Sequence, residues 1–148
     1  NWTGIEYAAA VLMMQEGRVA DGLKVFKAVR DRFDGRKRSP FDEPECGHHY
    51  ARAMASWGGV LALTGFQYSG VEKCMTFAAT ETASSVFWSN GYAWGTFSQK
   101  PGRKGVQVVL EVLYGKLSIK RLVVSGVGTF DLPRTRTVTK GRKISLMV

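Results

Sequence analysis

Apolar side chains recur at helical spacing from the start of the chain. Between Thr3 and Glu16, Ile5, Ala8, Ala9, Leu12 and Met13 lie three or four positions apart and Gly17 supplies a stop, which predicts a helix burying those residues. Val19 to Phe33 repeats the pattern with Leu23, Phe26, Val29 or Arg30, and Phe33, and ends at Asp34-Gly35. A short turn between the two predicts antiparallel neighbours. A third stripe, Tyr50, Met54, Trp57, Leu61 and Thr64, predicts a helix from about Gly47 to Thr64, closed by Gly65. The segment 34–46, DGRKRSPFDEPEC, holds two prolines, a glycine and mixed charges, a composition that cannot continue a helix and marks an exposed loop.

After Tyr68-Ser69-Gly70 the period shortens. Cys74 to Phe77, Ser85 to Trp88, Tyr92 to Ser98, Val106 to Leu113, Leu117 to Val124 and Ile144 to Val148 are short β-prone runs between glycine-rich turns. Pro101-Gly102 predicts one hairpin connection and Tyr114-Gly115-Lys116 another. Tyr92 and Trp94, with Ala93 between them, share one strand face, expected to be the buried one. The fold class expected is α+β: residues 1–70 as three helices, then residues 71–148 as a small antiparallel β-sheet or sandwich. The apolar helix faces, with Trp2, Met13, Met14, Tyr50 and Trp57 among them, call for further helices to cover them.

Composition narrows the class. Of 148 residues, 45% are apolar and 11% aromatic, which excludes a disordered chain. The net charge of +9 is unevenly placed: residues 1–70 hold nine Lys/Arg against eight Asp/Glu, and residues 71–148 hold twelve against four. Such a field attracts polyanions. Yet Lys100, Arg103, Lys104, Lys140, Arg142 and Lys143 sit in or beside apparent Gly or Pro turns, the arrangement of a solvated surface, so no functional nucleic-acid partner is expected. Cys46 and Cys74 give neither a disulfide framework nor metal-ligand spacing, and Cys46-Gly47-His48-His49 lacks the spacing of a zinc site. No metal or other cofactor is expected, and the cysteine usage favours a reducing, cytoplasmic compartment. No apolar run approaches the roughly 18 residues of a membrane span. The opening Asn1-Trp2-Thr3, without an initiator Met or signal core, suggests a start in mid-protein.

Three ordered motifs carry a family likeness: Trp2-Thr3-Gly4-Ile5-Glu6-Tyr7-Ala8, Met14-Gln15-Glu16-Gly17, and Glu43-Pro44-Glu45-Cys46-Gly47-His48-His49-Tyr50-Ala51-Arg52. Together they resemble the end of the catalytic domain of glycoside hydrolase family 116, which includes β-glucosidases and the non-lysosomal glucosylceramidase. The likeness covers residues 1–70 and extends more loosely over the β half. It implies that the helices close an (α/α)6 barrel and that residues 71–148 are a C-terminal appendage. It also implies that the family's nucleophile Glu and acid/base Asp lie upstream of the W-T-G motif, so the chain would carry no catalytic carboxylate pair. Its partners would then be a glycoside substrate and the missing N-terminal part of the same enzyme.

By the same resemblance Trp2 lines the sugar cleft, and an acidic residue nine positions before an Arg holds glucose hydroxyls, a spacing met by Glu43 and Arg52. Asp42-Glu43-Pro44-Glu45 departs from the family's local motif, which leaves Glu45 as the alternative to Glu43. Either carboxylate accepts hydroxyl donors, and Arg52 donates from a rigid fork. Glu6 has a structural reading, since Thr3-Gly4-Ile5-Glu6 matches a capping box. The alternative function is a β module that binds a glycan or an acidic polymer through Trp88, Tyr92, Trp94 and the basic turns.

Overall fold

The computed structural model describes residues 2–41 and 52–148. They fall into two units, Asn1–Leu63 and Thr64–Val148. In the first, α1 (Thr3–Gln15) and α2 (Val19–Arg32) form a hairpin whose turn is made by Gly17 at φ +80, with its N–H bonded to the Met14 carbonyl. The buried side of α1 is Thr3, Gly4, Tyr7, Ala10 and Met14, and α2 buries Gly22 and Val29. This corrects the expected face of α1, because Ile5 and Leu12 point to solvent. The cause is close approach at small residues: a Cβ on Gly22 would stand 2.6 Å from the Ala10 carbonyl oxygen. A stripe of Gly and Ala lets the helices come that near, and Tyr7 and Met14 then fill the seam. Tyr7, Val29 and Phe33 form the small core, with Phe26 and Ala55 against it and the Tyr7 and Phe26 rings 4.9 Å apart.

Glu6 of α1 pairs with Arg32 of α2. Trp2 is the N-cap residue and gives no side-chain cap, while Thr3 is already buried inside the helix, so the expected Thr3–Glu6 capping box does not form. The third helical stretch is a 3-10 helix (Arg52–Ser56) followed by α3 (Trp57–Thr64), ended by Gly65 at φ +60; the earlier part of the expected helix lies outside the described residues. Its inward side is also glycine, with Gly59 against the Phe26 ring, so Met54, Trp57 and Leu61 face outward rather than into a core. Among the described residues no helix is long and apolar enough to cross a membrane.

The second unit comprises β1 (Gln67–Ser69), β2 (Cys74–Ala78), β3 (Ser84–Ser89), β4 (Ala93–Gly102), β5 (Gly105–Ser125), β6 (Gly128–Thr139) and β7 (Arg142–Met147). The 21-residue β5 organises all of it. Its first half pairs antiparallel with β4 and β7, its second half antiparallel with β6 and parallel with β2, while β3 and β1 extend the two halves outward. The sheet is therefore mixed and curled. Tyr114-Gly115-Lys116, expected as a hairpin turn, lies inside this continuous strand.

Buried positions along β5 show how it bends. Val106, Val108, Leu110 and Val112 face inward, then Leu117 and Ile119, then Leu122 and Val124. Side chains alternate with period two, so each change of parity needs an extra residue. The register shifts between Trp94 and Gly95 of β4 and between Ile119 and Arg121 of β5 supply them. Phe97, paired with Leu110, stacks on Phe77, paired with Val124, with centroids 3.9 Å apart and planes 3° apart. Fourteen straight strand residues would separate those partners by roughly 46 Å, so β5 folds its halves toward each other around one core. Buried Gln99 ties the layers, donating to the Ala78 carbonyl (2.9 Å) and accepting from the Thr80 N–H (3.2 Å).

The expectation of barrel-closing helices followed by a small antiparallel sheet or sandwich is thus corrected on both counts. The helices close on a core of their own through glycine contacts. The strands form one mixed, curled sheet because β2 joins the second half of β5 in parallel.

Candidate functional site

Of the residues singled out by the family likeness, only Trp2 has a described side chain. Trp2 is exposed at the start of α1. Glu43 and Glu45 lie outside the described residues, and Arg52 enters only as the first backbone position of its 3-10 helix. The described residues form no cluster of three or more His, Cys, Asp or Glu side chains able to hold a metal.

A site does emerge on the outer face of the sheet. Strand alternation sends Trp88, Ala93 and Phe97 into the core and leaves Phe87, Trp94 and Tyr114 outside. The buried face expected for Tyr92 and Trp94 is corrected: Tyr92 precedes β4 and is exposed, and Trp94 is on the solvent side of the strand, with 40% exposure against 1% for Trp88 and 60% for Tyr114. The extra β5 residue beside Trp94 produces this row, since it puts Tyr114 opposite Trp94 while Val112 pairs with Gly95. The Trp94 and Tyr114 planes are within 19°, with centroids 6.0 Å apart, and Phe87 stands 6.2 Å from Trp94. Three exposed rings on three neighbouring strands make an aromatic strip. Beside it lie the hydroxyls of Thr96, Ser85 and Ser98, the last two 2.9 Å apart. Glu111, opposite Thr96, is paired with Lys143 at 3.2 Å.

At Tyr114 the strip runs into a cleft of roughly 770 Å³, within the size range of small-ligand sites. It opens where β5 parts from β4 and has not yet met β2. Tyr68, Tyr92 and Tyr114 line it with Lys73, Lys116 and Lys140, and no carboxylate among the described residues does so. None of the three lysines is ion-paired with a described residue. Tyr68 forms part of the wall, its hydroxyl donating to the Ser118 carbonyl (3.0 Å); burial holds its phenol above the usual tyrosine pKa, and Tyr92 nearby adds to the shift. Lys73 is held at φ +55, a left-handed backbone that costs a residue with a Cβ about 1 kcal/mol or more. There its carbonyl accepts from the N–H groups of Lys120 (2.7 Å) and Arg121 (3.1 Å), filling the second β5 bulge.

Tyr68, Tyr114, Lys73 and Lys116 had no place among the sequence candidates. A signal existed in Tyr114-Gly115-Lys116, but it looked like a turn. Compared with known proteins, the chain matches no family model and no curated protein.

Proposed function

We propose that the β unit is a non-catalytic glycan-binding module, with the ligand laid along Phe87, Trp94 and Tyr114. The observation that carries this reading is the exposed aromatic row, level with serine and threonine hydroxyls. Aromatic faces cover the apolar C–H face of a pyranose ring at low entropic cost, and short hydroxyls exchange hydrogen bonds with its edge. Two of the unit's carboxylates, Glu111 and Asp131, are engaged by Lys143 and Arg121, which favours binding over acid–base chemistry.

A polynucleotide is the weaker alternative, because it carries a phosphate at every unit and wants cations spaced along the aromatic track. Here Glu111 lies beside the strip and the three lysines of the cleft gather at its Tyr114 end. A sugar-cleaving parent would have use for such a module, so the reading stands beside the family resemblance of residues 1–70 without depending on it.

The test is affinity electrophoresis of the chain through gels containing single polysaccharides, neutral and acidic. Retardation by at least one is expected, falling about tenfold or more in apparent affinity in Trp94→Ala and Tyr114→Ala with melting unchanged. Retardation unaltered in both variants removes the strip from the site.

A further inference from the structure

Resting on the glycan reading, we infer that the ligand is an acidic glycan, bearing carboxylate or sulfate groups, whose anionic group is held at the end of the strip by Lys73, Lys116 and Lys140. The chemistry of the strip and the adjoining cleft is uneven. The strip is aromatic and hydroxylic, and Glu111 beside it is already neutralised by Lys143. The cleft adjoining it concentrates three lysines that no described carboxylate neutralises. Like charges placed together without counter-charges repel one another, and an anion seated among them relieves that repulsion.

Three different elements converge to produce this arrangement. Lys73 lies just before β2, Lys116 is in β5 beside the bend at Gly115, and Lys140 sits between β6 and β7. Thr139, next to Lys140, is the register partner of Lys116, so strand pairing itself sets those two lysines close. Lys73 holds its place in a left-handed conformation that Gly or Asn would adopt more readily. Its carbonyl explains the backbone there, but any residue has a carbonyl; the ammonium is what a lysine adds. The hydroxyls of Tyr92 and Tyr114 stand at the rim, largely exposed and able to donate to an anion. Tyr68 already donates to Ser118, so it shapes the wall and leaves the anion to the others.

The strip and the cleft therefore demand two properties of one ligand: a sugar ring for Trp94 and Tyr114, and a negative group a short step beyond it. Neutral glycans satisfy only the first. Small inorganic anions satisfy only the second.

The experiment uses the whole 148-residue chain and matched polysaccharides differing in charge: polygalacturonate against its methyl ester, carboxymethylcellulose against hydroxyethylcellulose, and dextran sulfate against dextran. Oligo-dT and inorganic polyphosphate serve as non-sugar polyanions. At physiological salt the charged member of at least one pair binds at least about tenfold more tightly than its neutral counterpart, and more tightly than either non-sugar polyanion. The uronate and sulfate arms show which anion is preferred. Lys116→Ala and Lys140→Ala each reduce that preference about tenfold while leaving the neutral member's affinity unchanged. Lys73→Asn keeps or raises the melting temperature, since Asn accepts the left-handed backbone, yet loses preference to the same degree.

Equal binding of charged and neutral partners overturns the inference and leaves the glycan reading standing. Binding to no polysaccharide overturns both. Tighter binding of oligo-dT or polyphosphate than of any glycan overturns both in favour of a polyanion site. A charge preference that survives all three lysine substitutions places the anion elsewhere and overturns the inference.

Discussion

Tyr68 joins the core of the β unit to its cleft: its ring packs on the buried cluster and its hydroxyl donates to Ser118. Burial raises its pKa above the ordinary 10.0, with Tyr92 adding to the effect. The folded state thus favours the protonated phenol. Its contribution is fully present below the unfolded pKa near 10 and is lost as pH rises through the folded value. Tyr68→Phe is expected to cost about 0.5 to 1.5 kcal/mol below roughly pH 9, and that difference should shrink as pH climbs past 10. Melting curves of both proteins from neutral to alkaline pH check this; a gap constant across the range would mean the phenol does not ionise as the fold requires. Single residues were legible in part. Strand period alone sends Ala93 and Trp94 to opposite faces, but which of the two looks inward depends on which neighbour covers that face. Trp88 and Trp94 have the same side chain, and only pairing with β4 and β5 assigns one to the core and the other to water.

At the scale of elements, the limits of α1 and α2 and the Phe26, Val29 and Phe33 face of α2 were legible, and the faces of α1 and α3 were not. Gly17 and Gly65 stop their helices as their backbone freedom predicts, but Gly22 and Gly59 act through close approach, which a hydrophobic stripe cannot reveal. The strand β6 was missed because only Val138 in it is buried and Pro133, Arg134 and Arg136 give it the look of a loop; on a strand that pairs only with β5 those residues are tolerated and discourage further pairing. The length of β5 was hidden by Gly115, which bends the strand at φ +78 instead of turning it back. A Cβ at Gly95 would fall on the Glu111 carbonyl oxygen, because the bulge that exposes Tyr114 presses the two backbones together. Gly95→Ala should therefore cost at least about 3 kcal/mol and lower the melting temperature by roughly 10 °C or more. A loss below about 1 kcal/mol in chemical denaturation would show that β4 and β5 do not meet in this register.

For the whole molecule, the uneven charge is legible in the sequence, and which basic residues come together is not. Of the basic residues expected in or beside solvated turns, Arg103, Lys104 and Lys140 occupy turns, and Lys100, Arg142 and Lys143 stand on β4 and β7 next to them. Lys73, Lys116 and Lys140 are far apart in sequence, and only the pairing of β2 and β6 with β5 gathers them. The residues proposed from the family likeness lie in the first unit or outside the described residues, whereas the strip and cleft proposed as the binding surface lie in Thr64–Val148. The most direct measurement of that claim is acrylamide quenching of a chain carrying Trp2→Phe and Trp57→Phe, in which only buried Trp88 and exposed Trp94 emit. Saturation with the polysaccharide that retards the chain most should reduce quenching to the low level of a buried tryptophan, because the ligand covers Trp94. Quenching that stays at the free-protein level while the polysaccharide is demonstrably bound would place the ligand elsewhere and contradict the account.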